Sequence, residues 1–376
     1  KLINGIDAAS SEFDARPEVF AVAFRYLKDH KLKGEFNVLK NKTNIVDNKL
    51  FATYHAGEDF FDIVDGLRTI DEAIKFLNLR QGDRIGHALA LGLNANDYFK
   101  FKGGKLLIPK GVLLDNIAWI LAQIRKFNIN DFHSESNRLN KIFQTLFYEI
   151  YKDQNPSLKG FECTSNTYYD AWKLRGDDPE LFKGDITQDI EAISGMSYWE
   201  RCRLNHFYPK KTSIRKNVLV KKLYQEYHFN PIIKQRYSEI KQFEITPEYL
   251  KIVTKIQKEM QNILMLLNIG IECNPTSNYL IGTFKRYDKH PIIDFYNLGL
   301  ESDSDKIESC PQLFVSINTD DQGIFGTSLE NEFALMAIAL EKAKDENGTL
   351  KYKPSMIYQW LDNIRKMGNE QSFKST

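Results

Sequence analysis

The stretch 316–323, SINTDDQG, joins an apolar run to two adjacent carboxylates. The apolar run 313–317 leads into this stretch and ends at Asn318. A short apolar run that ends abruptly in polar residues is typical of a buried parallel strand. Such a strand presents functional side chains at its C-terminal end. We expect an extended backbone here, so that Asp320 and Asp321 point to opposite sides, one towards a metal and one towards a substrate. A simple turn is the alternative, because Asp-Asp-Gln-Gly is also good turn chemistry.

Two further stretches favour the strand-end interpretation. Residues 52–58, ATYHAGE, follow a short strand-like run and place His55 three residues before Glu58. Residues 84–87, RIGH, place a second imidazole, His87, at the end of another short run. Neutral imidazole and carboxylate groups are ordinary zinc ligands, and a glutamate or a histidine that is not a ligand can move protons. The sequence therefore predicts strand ends that carry groups suited to metal-assisted hydrolysis.

The bulk composition indicates an ordinary globular chain. Its 376 residues are 42% hydrophobic and 27% charged, which allows a sizeable core. The net charge of +1 gives no overall attraction to nucleic acid or to membranes. The 4 cysteines are far apart and form no C-x-x-C motif, which argues against a disulfide framework and favours the cytoplasm. No apolar run approaches the roughly 18 residues that a membrane span needs.

Four short motifs occur in a fixed order along the chain: HAGE at 55–58, RIGH at 84–87, NPTSN at 274–278 and NTDD at 318–321. In this order they resemble the adenosine and AMP deaminase family of metal-dependent barrel hydrolases. The resemblance implies an α/β fold, the C-terminal part, from about strand 4 onward, of a TIM-type (β/α)8 barrel with a long, mainly helical insertion. It implies one Zn2+ per active site, with His55 and Asp320 as metal ligands and Glu58 and His87 as catalytic residues. The residues implied in substrate binding are Asp321, Asp7, Ser10, Ser277 and Asn278.

One feature of the family pattern is absent. The family's first barrel strand supplies a His-x-His pair to the metal, and no His-x-His occurs in this sequence. We therefore expect the chain to be the C-terminal part of a larger protein. Residues 1–92 carry barrel strands and helices with His55, Glu58 and His87, and residues 93–262 form the mainly helical insertion. Residues 263–376 form the final barrel strands, with Asp320 and Asp321, and the C-terminal helices.

The insertion has two readable parts. Apolar side chains at three- and four-residue steps predict helices over 108–127 and 138–151. Residues 197–237 mix aromatic and basic side chains, a composition that can bind nucleic acid or phosphates. A helical segment with a solvated basic face, or an oligomer contact, is the interpretation that we favour.

The insertion, the run 84–92 and the ending 367–373 (MGNEQSF) together resemble one branch, the large adenosine-deaminase-like subunit of the bacterial RADAR anti-phage system. This resemblance implies deamination of adenine to hypoxanthine in adenosine, in adenine nucleotides such as ATP and dATP, or in RNA. It also implies a homo-oligomer with a partner ATPase and no membrane. Two other classes stay open: a catalytically silent barrel scaffold for assembly or nucleic-acid binding, and a related metal hydrolase of another amine or amide.

Overall fold

A parallel β-sheet forms the centre of the fold. The computed structural model describes residues 3–9, 11–29, 50–153, 155, 158–185, 187–190, 192, 197–201 and 213–373. These residues form the strands β1 (Gly5–Ile6), β2 (Phe51–Ala56), β3 (Arg84–His87), β4 (Lys105–Pro109), β5 (Ile240–Glu244), β6 (Gly270–Cys273) and β7 (Val315–Ile317). Five of them pair in the order β1-β2-β3-β6-β7, and every neighbouring pair is parallel. The predicted mixed α/β fold with a parallel sheet is confirmed.

Strand register places four residues of the sheet on one face. Gly86 lies opposite His55 on one side and opposite Glu272 on the other, and Glu272 lies opposite Ser316. Residues that are in register on parallel strands project to the same side of a sheet. His55 and Glu272 therefore share a face, and their strands end at the same edge because all five strands run in one direction.

Helices pack against the sheet and make up most of the described part of the segment between β3 and β6. A representative start is the helix Ile63–Phe76, where the carboxylate of Asp62 accepts the N–H of Asp65 at 2.9 Å. None of the helices formed by the described residues is long and apolar enough to cross a membrane. Their bounds are Pro17–Asp29, Ile63–Phe76, Ala95–Phe101, Lys110–Lys126, His133–Phe147, Ser165–Lys173, Tyr198–Arg201, Val218–Phe229, Pro231–Ser238, Pro247–Leu267, Pro275–Ile281, Ile292–Phe295, Ser304–Ser309, Gln322–Phe325, Leu329–Glu341 and Pro354–Glu370.

The insertion contains a small sheet that the sequence did not predict. Strands β4 and β5 pair antiparallel, with Lys105 opposite Glu244. The helix expected over 108–127 consequently begins at Lys110, directly after β4. The helix expected over 138–151 instead spans His133–Phe147 and continues into a π-helical turn, Tyr148–Lys152. The apolar spacing located both helices but not their ends, because strand pairing and the change of helix type are tertiary effects.

Buried charges join the insertion to the helix Ile63–Phe76. Arg68, which is fully buried, lies 2.9 Å from Glu72 and 3.5 Å from Asp115 of the insertion helix Lys110–Lys126. Arg175 binds the same Asp115 through two guanidinium nitrogens, at 2.6 and 2.9 Å. Each charge has an opposite partner at hydrogen-bond distance, which is the condition under which burial is tolerated. The insertion is thus firmly attached to the sheet's outer helices.

The basic and aromatic segment 197–237 is only partly described, since residues 202–212 lie outside the described residues. In the described part, the guanidinium of Arg215 is buried against Asp177 at 2.8 Å. The ammonium of Lys221, also buried, donates to the carbonyl of Gln188 at 3.0 Å. The ring of Tyr224 is buried as well. These three groups pack inwards, which supports a packing role for this part of the segment.

Candidate active site

The C-terminal ends of neighbouring strands bring three candidate donors together. His55 lies near the end of β2, Glu58 follows in the next turn, and His87 is the last residue of β3. One donor atom from each of the three lies within 4.8 Å of the other two. The rings of His55 and His87 are 4.7 Å apart between centroids, in an edge-to-face arrangement. Residues that are separated along the chain thus converge because their parallel strands end at the same edge.

His87 is the residue on which these contacts centre. Its Nδ1 lies 2.8 Å from Oε1 of Glu58, and its Nε2 lies 3.6 Å from Oδ2 of Asp320, beyond β7. The ring is fully buried, whereas the side chains of Glu58 and Asp320 are 10% and 15% exposed. Burial lowers the pKa of His87, but the hydrogen bond and charge of Glu58 and the charge of Asp320 outweigh burial and raise it.

An unusual backbone conformation directs His87 into the site. Regular alternation along β3 would point its side chain away from the face that carries His55. His87 instead has φ of 66°, in the left-handed region, and Ala88 follows with φ of 49°. Non-glycine residues adopt this region at a cost of about 1–3 kcal/mol, and such residues concentrate at functional sites. The departure from strand geometry is what allows the two imidazoles to meet.

The two acidic residues after β7 differ from the expected extended pair. Asp320 has φ of 55°, again left-handed, and Asp321 immediately precedes the helix Gln322–Phe325. The expectation of an extended backbone is therefore wrong at Asp320. Asp320 is nevertheless directed towards His87, while Asp321 is exposed to solvent. The turn chemistry of Asp-Asp-Gln-Gly and its position at a strand end are both present.

A buried hydrogen-bond chain orients the polar groups around His87. The Nδ1 of His290 accepts the N–H of Ile292 at 3.1 Å, so the proton of this neutral ring is on Nε2. That Nε2 donates to Oδ1 of Asn278 at 3.0 Å, and the amide nitrogen of Asn278 therefore faces Glu58 at 3.0 Å and His87 at 2.8 Å. Burial, followed by the charge of His87, lowers the pKa of His290 to about 3, which keeps the ring neutral.

The orientation of the Asn278 amide determines which of its atoms faces Glu58 and His87. Asn278 can only donate through its amide nitrogen, and it supplies one N–H to the Glu58 carboxylate. Glu58 Oε1 and His87 Nδ1 lie 2.8 Å apart, which is within the distance for direct proton transfer. A carboxyl and an imidazole that exchange a single proton inside a buried site form a general acid and base pair.

The other predicted substrate residues that the structure describes follow strands of the same sheet: Asp7 follows β1, Ser277 follows β6 and Asp321 follows β7. Asp7, which follows β1, and Asp321 are both exposed. Ser277 is fully buried, and its hydroxyl has no hydrogen-bond partner among the described residues. Ser10 lies outside the described residues. The structure thus groups His55, Glu58, His87, Asn278 and Asp320, whereas the side chains of the described residues Asp7, Ser277 and Asp321 make no hydrogen bond or ion pair with that group.

Sequence reasoning missed two residues of this site. The sequence did not single out His290 as a site residue, and it gave Asn274 no role beyond its place in the NPTSN motif. The amide nitrogen of Asn274 lies 3.2 Å from Nε2 of His87 and 3.3 Å from its Nδ1. No spacing in the sequence indicates either contact, because both residues reach the site through packing against distant parts of the chain.

The donor set fits a divalent transition metal. Two imidazoles and a carboxylate within 4.8 Å of one another are the nitrogen and oxygen ligands that zinc takes in catalytic sites. Asp320 adds a second carboxylate, which lies 3.6 Å from Nε2 of His87. His55 lies over Gly86, where a larger residue would touch its ring, so the strand sequence leaves space for this imidazole. The described residues therefore could hold a metal ion.

Comparison with known proteins gives short matches to deaminases. The chain is 35% identical over 80 residues to the aminodeoxyfutalosine deaminase of Streptomyces avermitilis, which covers 21% of this chain and 18% of that protein. It is 33% identical over 105 residues to the same-named protein of Streptomyces coelicolor, 28% of this chain and 20% of the relative. It is 32% identical over 76 residues to the adenosine deaminase of Plasmodium gallinaceum, 20% of this chain and 17% of the relative.

The matched segments span about a fifth of the length of each of these relatives. No family model matches the chain. All three relatives carry the name of a deaminase, and the candidate site offers the donors of a metal-dependent hydrolase. The matches support an aminohydrolase of the deaminase type as the class to which this chain is similar.

Proposed function

We propose that this chain carries out metal-dependent hydrolytic deamination of adenine to hypoxanthine. The observation that carries the proposal is the convergence of His55, Glu58 and His87 at adjacent parallel strand ends, with Asp320 beside His87. Deamination needs a nucleophilic water, a base for that water and an acid for the ring nitrogen. The site supplies candidates for each of these roles within a few ångströms.

The chain's residues would divide the work as follows. His55 and Asp320, the ligands that the resemblance implies, would hold zinc, which would supply the activation of a water molecule at neutral pH. Glu58 and His87 of the same cluster would then remain for proton transfer. His87 orients that water or accepts its proton, since imidazole changes charge near neutral pH. Glu58 donates a proton to the ring nitrogen next to C6, water adds at C6, and ammonia leaves. Asp321 fixes the purine at its five-membered ring.

A partial barrel is the architecture that we propose for this activity. The five parallel strands follow one another in chain order, which is the winding of a (β/α)8 barrel from about its fourth strand onward. In this proposal, residues 1–92 and 263–376 belong to the barrel and residues 93–262 are the insertion.

The finer parts of the proposal rest on sequence resemblance. The substrate would be adenosine, an adenine nucleotide such as ATP or dATP, or RNA. The resemblance to the large subunit of the RADAR system adds a cytoplasmic anti-phage role, a homo-oligomer and an ATPase partner. The named activities of the three relatives support deamination as the common chemistry of these possibilities.

Zinc content and ammonia release test the proposal together. The protein with its natural termini is assayed for bound zinc and for ammonia from adenosine, AMP, ATP and adenine-containing RNA. We expect zinc and deamination of at least one of these substrates. A silent scaffold would show neither zinc nor turnover, and a hydrolase of another amine would bind zinc without deaminating any purine.

A variant at Glu58 separates catalysis from metal binding. Glu58→Gln removes the proton donor and keeps the size and hydrogen-bonding capacity of the side chain. We expect turnover to fall by at least about a hundredfold, within the range of general acid catalysis, while zinc content stays the same. Full activity in this variant would contradict the role of Glu58.

A further inference from the structure

Glu12 is a buried carboxylate that binds only backbone groups at the strand end of β2. Its Oε2 accepts the N–H of Gly57 at 2.7 Å, and its Oε1 accepts the N–H groups of Glu58 at 2.9 Å and Asp59 at 3.2 Å. The residue is 6% exposed and lies in the turn that follows β1. One side chain of the first loop therefore receives three consecutive backbone donors of the second loop.

Three successive N–H groups that point to one place form a concave site for an anion. Gly57 takes φ of +81°, which glycine adopts without strain and which turns the chain at this point. A charged acceptor makes each of these hydrogen bonds about twice as strong as a neutral one. Without the carboxylate, the three donors would be left facing a buried region without a partner, and the turn would rearrange to satisfy them.

The turn that Glu12 binds carries the reactive carboxyl. The backbone N–H of Glu58 donates to the Glu12 carboxylate. The side-chain Oε1 of Glu58 lies 2.8 Å from Nδ1 of His87. A shift of the backbone at residue 58 moves the start of that side chain directly. The pKa of Glu12 is raised to about 7, because burial, together with the charge of Glu58, outweighs the three N–H groups that lower it.

We propose that Glu12 is a positioning residue that fixes the backbone of residues 57–59 and so aims the Glu58 carboxyl at His87. The catalytic part of this inference rests on the proposed deaminase function. The structural part does not, because it concerns three amide protons of the chain itself. Glu12 touches no reacting atom and acts only through the turn that it holds.

Amide hydrogen exchange measures the three hydrogen bonds without any substrate. Glu12→Gln replaces one acceptor oxygen by a donor, and Glu12→Ala removes both acceptors. We expect exchange at residues 57–59 to accelerate by at least about tenfold in both variants, since each loses hydrogen bonds to a charged acceptor. Glu72→Gln is the matched control, a fully buried glutamate whose partners are Arg16, Arg68 and Trp172.

The control separates local from global effects. Glu72→Gln should lower stability and leave the relative exchange of residues 57–59 unchanged. Wild-type exchange at these three amides in Glu12→Ala would overturn the inference, whatever the enzyme's activity proves to be. Acceleration that is equal throughout the chain would also overturn it, because that pattern indicates unfolding rather than release of one turn.

Kinetics test the second half of the proposal in the protein with its natural termini. Misplacement of Glu58 should lower kcat on the order of a hundredfold and leave KM and zinc content nearly unchanged. Accelerated exchange together with wild-type kcat would show that Glu12 holds the turn but does not position Glu58. If no substrate is turned over by the wild type, the proposed function fails, and the exchange result still decides the structural half.

Discussion

Adding a methyl group at Gly86 tests whether the site depends on the position of His55. A Cβ at residue 86 would lie 2.5 Å from Cδ2 of His55 and 3.1 Å from its Cγ and Nε2. Ordinary carbon contacts are about 3.5–4.0 Å, so the ring must move by about 1 Å. The backbone of residue 86 lies in a strand without a positive φ, so alanine is sterically acceptable there apart from this contact.

The expected result of Gly86→Ala is a local loss of function. A displacement of about 1 Å can reduce turnover about a hundredfold, and we expect zinc affinity to fall as well. Global stability should change by less than about 2 kcal/mol, because alanine restricts the unfolded chain and offsets part of the clash. Turnover, zinc competition with a chromogenic chelator and denaturant unfolding measure these three quantities.

Gly323→Ala is the matched control for this experiment. Gly323 lies beyond β7 near the same edge, and a Cβ there would meet nothing within 4 Å. We expect this variant to keep wild-type zinc affinity and turnover. If Gly86→Ala also keeps both, then the imidazole of His55 does not act from the position seen here, and the reasoning from strand register to the metal site is refuted.

Three other predictions concern residues around the site and the sheet. His290→Phe removes the N–H donor that orients Asn278, so kcat should fall about tenfold. Kinetics and metal analysis should show this fall with an unchanged zinc content. His290→Gln keeps an N–H donor and should recover part of the loss. Burial raises the pKa of Asp62 to about 7, so the folded protein retains a proton that the unfolded chain releases near pH 4, and stability falls as pH rises from about 4 to 7. Between pH 4 and 7 the free energy of unfolding should decline by roughly 3 to 4 kcal/mol less in Asp62→Asn than in the wild type. An equal decline in the two proteins would contradict the raised pKa of Asp62. Phe373 stacks on Phe51 with ring centroids 5.2 Å apart. Phe373→Ala should therefore lower the free energy of unfolding, measured by denaturant titration, by about 2 kcal/mol. A change below about 0.5 kcal/mol, which is typical of a surface substitution, would contradict this packing role.

Local patterns in the sequence located the strand ends and the types of residue that they carry. Short apolar runs before His55, His87 and Asp320 predicted parallel strands, and each strand is present. Strand and helix periodicities are properties of neighbouring residues, so a single sequence contains them. The same patterns did not define the antiparallel pair β4–β5, because Lys105 and Glu244 meet only after the insertion folds.

The arrangement of the site depended on the tertiary structure. His87 leaves regular strand geometry at φ of 66°, and no residue next to it in the sequence predicts this conformation. Asn278 reaches His87 across 191 positions of the chain and Glu58 across 220. Contacts at such separations form only when the parallel strands bring their ends to one edge.

The sequence by itself determined which chemical groups stand at the ends of the parallel strands, since that follows from apolar runs and the polar residues that end them. The tertiary structure decided which of those groups face one another and, for His87 and His290, in which direction burial and neighbouring charges shift the pKa. The physical reason is that hydrogen bonds and pKa values depend on distance and burial, as the His290–Asn278–His87 chain demonstrates.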